Sequence, residues 1–477
     1  MTNTCEPAIS PPLTFSVLQT ELSDWANRLQ ASLARSVEAS DQTLGHLEEQ
    51  LLRGTLDLQR QLLQEAAQKK ADATPPRCPV CGRALNRCTP GHARTFETRF
   101  GPVTLRRTRG WCVRCRSWRF PADAALGLTD TAGYSPSVQE MAALAVSKLP
   151  VAEASAVVER LTGVKLPRAT LDREARRQGQ RAQAKRQALD GQMQTAAGAE
   201  QQVRELQLEL PLEPFTLVIE LDAWNLRERD GWGQSEALRR AGQEPARWHW
   251  AYGGTCFRLS QRGQTAGGRP VILSRGFVMT RGGLEALREQ LWAEAMRHGL
   301  GKARDVLIVA DGAVWIWKLA SDRFPEARQR LDYYHASEHL WAVARAMHPE
   351  EEAAARAWVA PLLEKLKAGD GVEVIESLEA LLKRLRGERR EAVQGGVNYL
   401  ASHRDRLDYD VARRRGEPLG SGAMESTCRQ YQCRFKRPGQ FWSETGDESL
   451  MCLETFWRND RWHLLFPHAA PTTHARN

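Results

Sequence analysis

A chain of 477 residues with 26% charged and 42% hydrophobic positions is neither a disordered nor a membrane-spanning composition, and it has material for two to four folded cores. No apolar run approaches the ~20 residues of a spanning helix. The polar, proline-containing residues 1–14 lack the basic start and apolar centre of a signal peptide, so a cytoplasmic protein is predicted. Lys and Arg number 67 against 58 Asp and Glu, a net charge of +9 that is unevenly spread. Residues 77–119 hold eleven arginines and one acid, Glu97, and residues 165–186 hold eight basic residues against Asp172 and Glu174. Charge concentrated in this way favours a polyanionic partner such as nucleic acid over a merely solvated face.

From Leu13 to about Gln68, leucines recur at three- and four-residue steps, which predicts helix with a packing or dimerisation stripe. Pro75-Pro76 must end it. Two Cys-x-x-Cys pairs follow, Cys78/Cys81 and Cys112/Cys115, separated by a 30-residue β-rich spacer. Paired knuckles on either side of a hairpin bring four thiolates to one tetrahedral zinc, and metal binding then substitutes for the core that so small a module cannot build. Cys88 is the one rival ligand, and all ten cysteines are predicted free or metal-bound. A thioredoxin-like reading would need a βαβ context that is missing, and it would leave the second pair without a role. Residues 134–186 read as three helices, the first opened by Ser135-Pro136, the second closed by Gly163, the third carrying Arg173, Arg176, Arg177 and Arg181. This is the order of a helix-turn-helix with a basic reading helix. Residues 187–213, rich in Gln, Ala, Glu and Gly, read as a linker.

The pattern then changes to buried strands. Residues 215–222 end in Asp222, two strand-like runs follow near 248–259 and 270–280, a helix covers 284–298, and residues 305–312 form a strand ending in Asp311-Gly312. Three strands, a helix and another strand is the order of a ribonuclease-H-like α/β domain. Acids that terminate apolar strands emerge at the carboxyl edge of the sheet, where such folds gather their sites, although one such Asp alone is more often a cap. Carboxylates are what Mg²⁺ requires, and two ions ~3.5–4 Å apart can serve both the attacking and the leaving oxygen of a phosphoryl transfer. Glu425, in the glycine-rich stretch 420–426, is the predicted third acid. Arg429, Arg434, Lys436 and Arg437 beyond it are candidates to follow a nucleic-acid backbone.

The stretches Leu221-Asp222-Ala223-Trp224-Asn225 with Gly231-Trp232-Gly233, Val309–Trp315, Leu331-Asp332-Tyr333-Tyr334-His335-Ala336-Ser337-Glu338-His339-Leu340, and 420–442 resemble bacterial insertion-sequence DDE transposases of the ISKra type. A looser likeness reaches the ISLre and UPF group. The resemblance covers about residues 75–460. It implies an RNase-H-like core with a helical insertion, and Asp222, Asp311 and Glu425 as the catalytic triad holding two Mg²⁺ (or Mn²⁺) ions. Glu220 or Asp230 would replace Asp222 if the first assignment failed. The resemblance also implies double-stranded DNA as partner, both as terminal inverted repeats and as target, a homo-oligomer on DNA, and nucleoid association when bound. His335 would support the site. The expected segments are 1–74 helical, 75–125 zinc ribbon, 130–186 helix-turn-helix, 187–213 linker, 214–340 with 403–460 catalytic, 341–402 inserted helices, and a 461–477 tail. Two rivals remain. His335-x-x-Glu338-His339 spells an inverted zinc-peptidase motif, and a DNA-binding regulator derived from a transposase would keep the head and leave the acids structural.

Overall fold

The structure, a computed structural model, describes residues 16–38, 41–128, 133–206, 208, 212–229 and 233–469. It divides into two compact units, Met1–Ala175 and Arg176–Asn477. In the first, helices α1 (Ser16–Glu38) and α2 (Leu44–Asp72) form a hairpin in which the Trp25 indole donates to the Gly54 carbonyl at 2.7 Å. Strands β1 (Asn86–Thr98) and β2 (Gly101–Cys112) make a long antiparallel hairpin, extended by β3 (Ser117–Arg119). Phe96, Val103 and Leu105 of this hairpin pack with Leu63 and Ala67 of α2 in a small core. The short α3 (Pro121–Ala125) brings Asp123 into a buried ion pair with Arg107. Then come α4 (Pro136–Lys148), capped by Ser135, and α5 (Val151–Thr162), closed by Gly163 in the left-handed conformation.

Helix α6 (Arg168–Met193) runs across the division between the units. The expected linker is mostly helix. α6 continues to Met193, and α7 (Ala196–Glu205) follows, capped by Thr195. The Gln- and Ala-rich composition that suggested a linker is also compatible with helix, and burial decides between them. Leu189, Asp190, Met193 and Gln202 are all buried, with Asp190 and Gln202 both bonded to the Arg297 guanidinium.

The second unit is built on a five-stranded mixed sheet. Its strands are β4 (Thr216–Glu228), β5 (Arg247–Arg258), β8 (Gly276–Thr280), β9 (Asp305–Ala310) and β10 (Arg328–Leu331), in the spatial order β10-β9-β4-β5-β8. β4, β5 and β8 pair antiparallel, and β9 and β10 run parallel to β4. The short α8 (Ser235–Arg240) precedes β5, and the small hairpin β6 (Arg262–Gln264) and β7 (Pro270–Ile272) precedes β8. α9 (Gly283–Arg297) and α10 (Val314–Arg323) flank β9, and α11 (Tyr333–Met347) follows β10. Next come α12 (Glu352–Ala368), α13 (Gly371–Leu382), α14 (Gly387–Ser402) and α15 (Tyr409–Arg415).

Alternation along β4 sets the two sides of the sheet. Leu217, Ile219 and Leu221 join one large core with α9 to α15, so the helices of the expected insertion share the core of the sheet. Val218 faces the other way, with Phe257, Leu307 and Val309 against Ala423 of α16 (Gly422–Phe435). α17 (Glu444–Arg458) closes the unit. Gly253 allows α16 its close approach, because a Cβ there would stand 2.4 Å from Met424 Cε.

A strap, residues 416–421, leads into α16 along the edge strand β10. Arg330 is fully buried and donates to both Asp408 oxygens at 2.8 and 2.9 Å, to Glu417 at 2.7 Å and to the Pro418 carbonyl at 3.2 Å. Arg328 joins Glu417 to Asp305. Replacing Arg330 with Met should therefore destabilise the unit by ~3–5 kcal/mol, the usual cost of leaving one partner of a buried pair alone. Urea unfolding of the two proteins measures it, and a loss below ~1 kcal/mol would show that the strap is held by other contacts.

Candidate metal centres

In the first unit, Cys78, Cys81, Cys112 and Cys115 bring their sulfurs within 4.8 Å of one another. Cys78 and Cys115 are 3.9 Å apart and Cys81 and Cys112 are 3.5 Å apart, close to the edge of about 3.8 Å that a tetrahedron with Zn–S near 2.3 Å requires. Cys78 and Cys112 are buried. Burial pushes the Cys78 thiol up, but the backbone N–H groups of Cys81 and Val80 outweigh it and hold the thiol at about 6. Cys115 is pushed up to about 12, first by the Cys81 thiol and then by burial. Four sulfurs so close cannot all ionise unless a cation joins them. Cys88 stays outside the cluster, so the four sulfurs gather without the rival ligand.

The acids of the second unit gather where β9 and β10 end. β4 and β9 pair as far as Leu221 with Ala310, and β9 and β10 as far as Ala310 with Leu331. The next residue in each case is an aspartate, so Asp222, Asp311 and Asp332 stand in one row about 4.8 Å apart. Asp222 does not end its strand as the sequence suggested, because β4 continues beside β5 to Glu228. Asp332 was not singled out from the sequence, although it follows its strand as Asp311 does. Its carboxylate is already committed. It accepts from the N–H of Tyr334 at 2.6 Å and of His335 at 3.3 Å, and from both N–H and Oγ of Ser421 at 2.6 and 2.7 Å. It caps α11 and ties down the start of α16.

Asp222 and Asp311 carry fewer bonds. Asp222 accepts the Ala223 N–H at 2.6 Å and the Cys428 thiol, and Asp311 accepts the Ala313 N–H at 3.0 Å. Neither has a cationic partner among the described residues. Burial raises the Asp222 carboxyl, and the charge of Asp311 raises it further. Glu425 lies in the first turn of α16, half-exposed, with Arg429 at 4.0 Å. The tightest grouping is Asp332, His335 and Glu425, whose ligand atoms lie within 4.8 Å and could hold a metal. Asp222, Asp311 and Glu425, the predicted triad, do not form such a group among the described residues, although Asp222 is near enough to Asp311 and His335 to feel the charge of each.

Glu220 sits two residues before Asp222 on the same face and is fully buried. Its Oε2 accepts the Met424 N–H at 2.8 Å, so it caps α16 rather than joining the row. Burial pushes it up to about 8. Asp230, the other substitute, lies outside the described residues. On the opposite side, α14 presses against the Asp311 turn, and a Cβ on Gly312 would come 2.5 Å from the Tyr399 ring. His339 stacks on Tyr399 at 3.6 Å, and burial lowers its pKa. His335, Glu338 and His339 are therefore not brought to one metal position among the described residues.

The basic residues divide. Arg173, Arg176 and Arg181 of α6 are exposed and Arg177 is half-buried. Arg429 and Lys436 are exposed and Arg437 is half-buried. Arg434 is buried, its guanidinium 4.9 Å from the Trp442 ring centre, and it cannot follow a phosphate backbone. It belongs to the inward face of α16 with Met424, Cys428, Tyr431 and Phe435, a 3.6-residue periodicity that overrides its charge. No helix of the described residues is long and apolar enough to cross a membrane. No family model and no curated protein matches the chain.

The intact protein should carry one zinc per chain, and Cys78→Ser with Cys112→Ser should remove it. Elemental analysis of the purified proteins tests this, and a zinc-free wild type or a zinc-replete double variant would contradict it. Glu220 supplies a pH test. Its folded value of about 8 exceeds the ordinary 4.5, so the folded protein holds the proton more tightly. The resulting stability is present below pH 4.5 and is lost as pH rises towards 8. Glu220→Gln should flatten the fall in unfolding free energy across that window, measured without added divalent ion. An unchanged slope would assign the pH dependence to another group.

Proposed function

We propose that this chain is a DDE-type DNA transposase, with a zinc ribbon and helix-turn-helix that bind the ends of the element and an RNase-H-like domain that cuts and joins strands. The observation that carries the reading is the row of acids at one level of three adjacent strands. Asp222 and Asp311 occupy equivalent register positions on adjacent parallel strands, with Glu425 delivered from α16 and no cationic side chain paired to either aspartate. Two neighbouring aspartates without a compensating cation suit divalent metal. The donors are hard oxygens, as Mg²⁺ or Mn²⁺ prefers, with one imidazole alongside. Asp222, Asp311 and Glu425 would hold the ions, which supply charge for phosphoryl transfer when bound.

Three further features support the reading. A three-strand antiparallel meander followed by two parallel strands, in the order 5-4-1-2-3 of its own strands, is the RNase-H arrangement. α4, α5 and the start of α6 keep the order of a helix-turn-helix, with Arg173 exposed near the beginning of the reading helix. The Cys cluster sits among eleven arginines, and the ten that are not buried need a fixed scaffold to meet phosphates in register. In this scheme one phosphodiester bond is hydrolysed to leave a 3′-hydroxyl, which then displaces a target-strand oxygen, so one bond forms for each broken. Asp332 contributes as a positioning residue, because it fixes the strap that carries Glu425.

Asp222→Ala, Asp311→Ala and Glu425→Ala should each lower Mg²⁺-dependent cleavage of DNA flanking the protein's own gene by about 10³-fold or more, while DNA binding survives. Cleavage near the wild-type level in one variant removes that residue from the site. Wild-type protein that binds this DNA but never cuts it supports the regulator instead.

A further inference from the structure

Among the described residues only three tryptophans are exposed, Trp118, Trp248 and Trp250. Two of them share one face of one strand. β4 and β5 pair along twelve residues, but β9 pairs with β4 only as far as Leu221 and β8 with β5 only from Tyr252. The outer part of the β4–β5 ribbon therefore extends past the rest of the sheet. One of its faces is buried. Trp224 and Leu226 are packed inward, Trp224 at 6.2 Å from Phe435. The opposite face carries Asn225 and Arg227 across from Trp250 and Trp248, whose exposures are 51% and 60%. Large aromatic surface left in water on a rigid strand, at two consecutive same-face positions, is costly unless something covers it.

The spacing and the charge indicate what covers it. Residues i and i+2 of a strand stand about 6.8 Å apart, twice the ~3.4 Å thickness of a stacked base. That spacing would admit one base between two rings standing parallel on this face. The border is cationic. The Arg227 guanidinium lies 5.3 Å from the Trp248 ring centre, and Lys436 Nζ donates to Asn225 at 3.2 Å, directly across from Trp250. Aromatic rings edged by Arg and Lys are the means by which proteins hold unpaired nucleic-acid strands. A second copy of this same face would bring like charges together. The next same-face residue, Tyr252, packs edge-on against Trp315 at 5.3 Å, four residues beyond Asp311. Its neighbour Gly253 pairs with Asp222, and both face the other way, towards α16. The platform thus begins about 10 Å along the strand from Asp222 and on the opposite face of the ribbon.

We propose that Trp248 and Trp250 form a stacking site for an unpaired base of bound DNA. This rests on the nucleic-acid reading above and adds the state of the substrate, a DNA end with an unpaired base rather than a closed duplex. Holding one base out of the stack would keep the two strands apart at that end.

The test uses the full chain without divalent ion, and two probes: a short fully paired duplex, and the same duplex with an unpaired thymidine tail at one end. The wild type should prefer the tailed probe. Trp248→Ala with Trp250→Ala should abolish that preference, weakening tailed-probe binding about ten-fold or more while leaving paired-duplex binding unchanged. Trp248→Phe with Trp250→Phe should keep it. An equal preference in wild type and the double alanine variant overturns the stacking site, and so does a variant that binds both probes normally but loses a dimer. The probes need no cleavage, so failure of the transposase reading would appear separately, as wild-type protein that stacks the tail and never cuts it.

Discussion

The carboxylate row has its shape because the strap of residues 416–421 is nailed to β10. That strand is the edge of the sheet, and its alternate residues Arg328, Arg330 and Asp332 each bind the strap or its continuation. A buried guanidinium with two carboxylates is expensive to desolvate, so the set as a whole contributes little net stability against an apolar set of the same volume, although removing one member alone is costly. What it contributes is position. Arg330 can satisfy its donors only when Asp408, Glu417 and Pro418 all converge on it, and that single arrangement starts α16 where Glu425 meets His335 and Asp332. Glu220 closes the same helix start from the strand beneath.

The acids at the site therefore have two kinds of work. Asp332 and Glu220 spend their oxygens on backbone N–H groups of α11 and α16, and they are held by the fold they hold. Asp222 and Asp311 have spare lone pairs, and the charge of Asp311 adds to the burial that raises the Asp222 carboxyl. Within a few ångströms the chain thus separates positioning carboxylates from ligating ones by the hydrogen bonds each already accepts. Cys428, one turn beyond Glu425, adds a thiol donor that orients Asp222.

The cysteine cluster follows a different logic. Its hairpin is too small to bury a core of its own, and only Leu85 packs among the sulfurs in the knuckle. Backbone N–H groups lower one thiol while crowding raises another, a division that a bound cation would remove.

The sequence by itself determined the local features. The Cys-x-x-Cys spacing, the strand-end position of Asp311 and the helix α9 all follow from short-range pattern, where side-chain period and turn chemistry act within a few residues. Asp222 read as a strand end only because the apolar run stops there, while pairing with β5 carries β4 on to Glu228. What it did not show came from long-range contact. Asp332 joins Asp222 and Asp311 only through strand register, which no local pattern encodes. Arg434 resembled a phosphate ligand until α16 turned it inward beside Trp442. Residues 187–205 were polar enough for a linker, yet became helix because the Arg297 guanidinium required Asp190 and Gln202 beside it. The exposure of Trp248 and Trp250 was likewise settled by where β8 and β9 stop pairing, since an alternating aromatic strand looks the same in sequence whether or not a neighbour covers it.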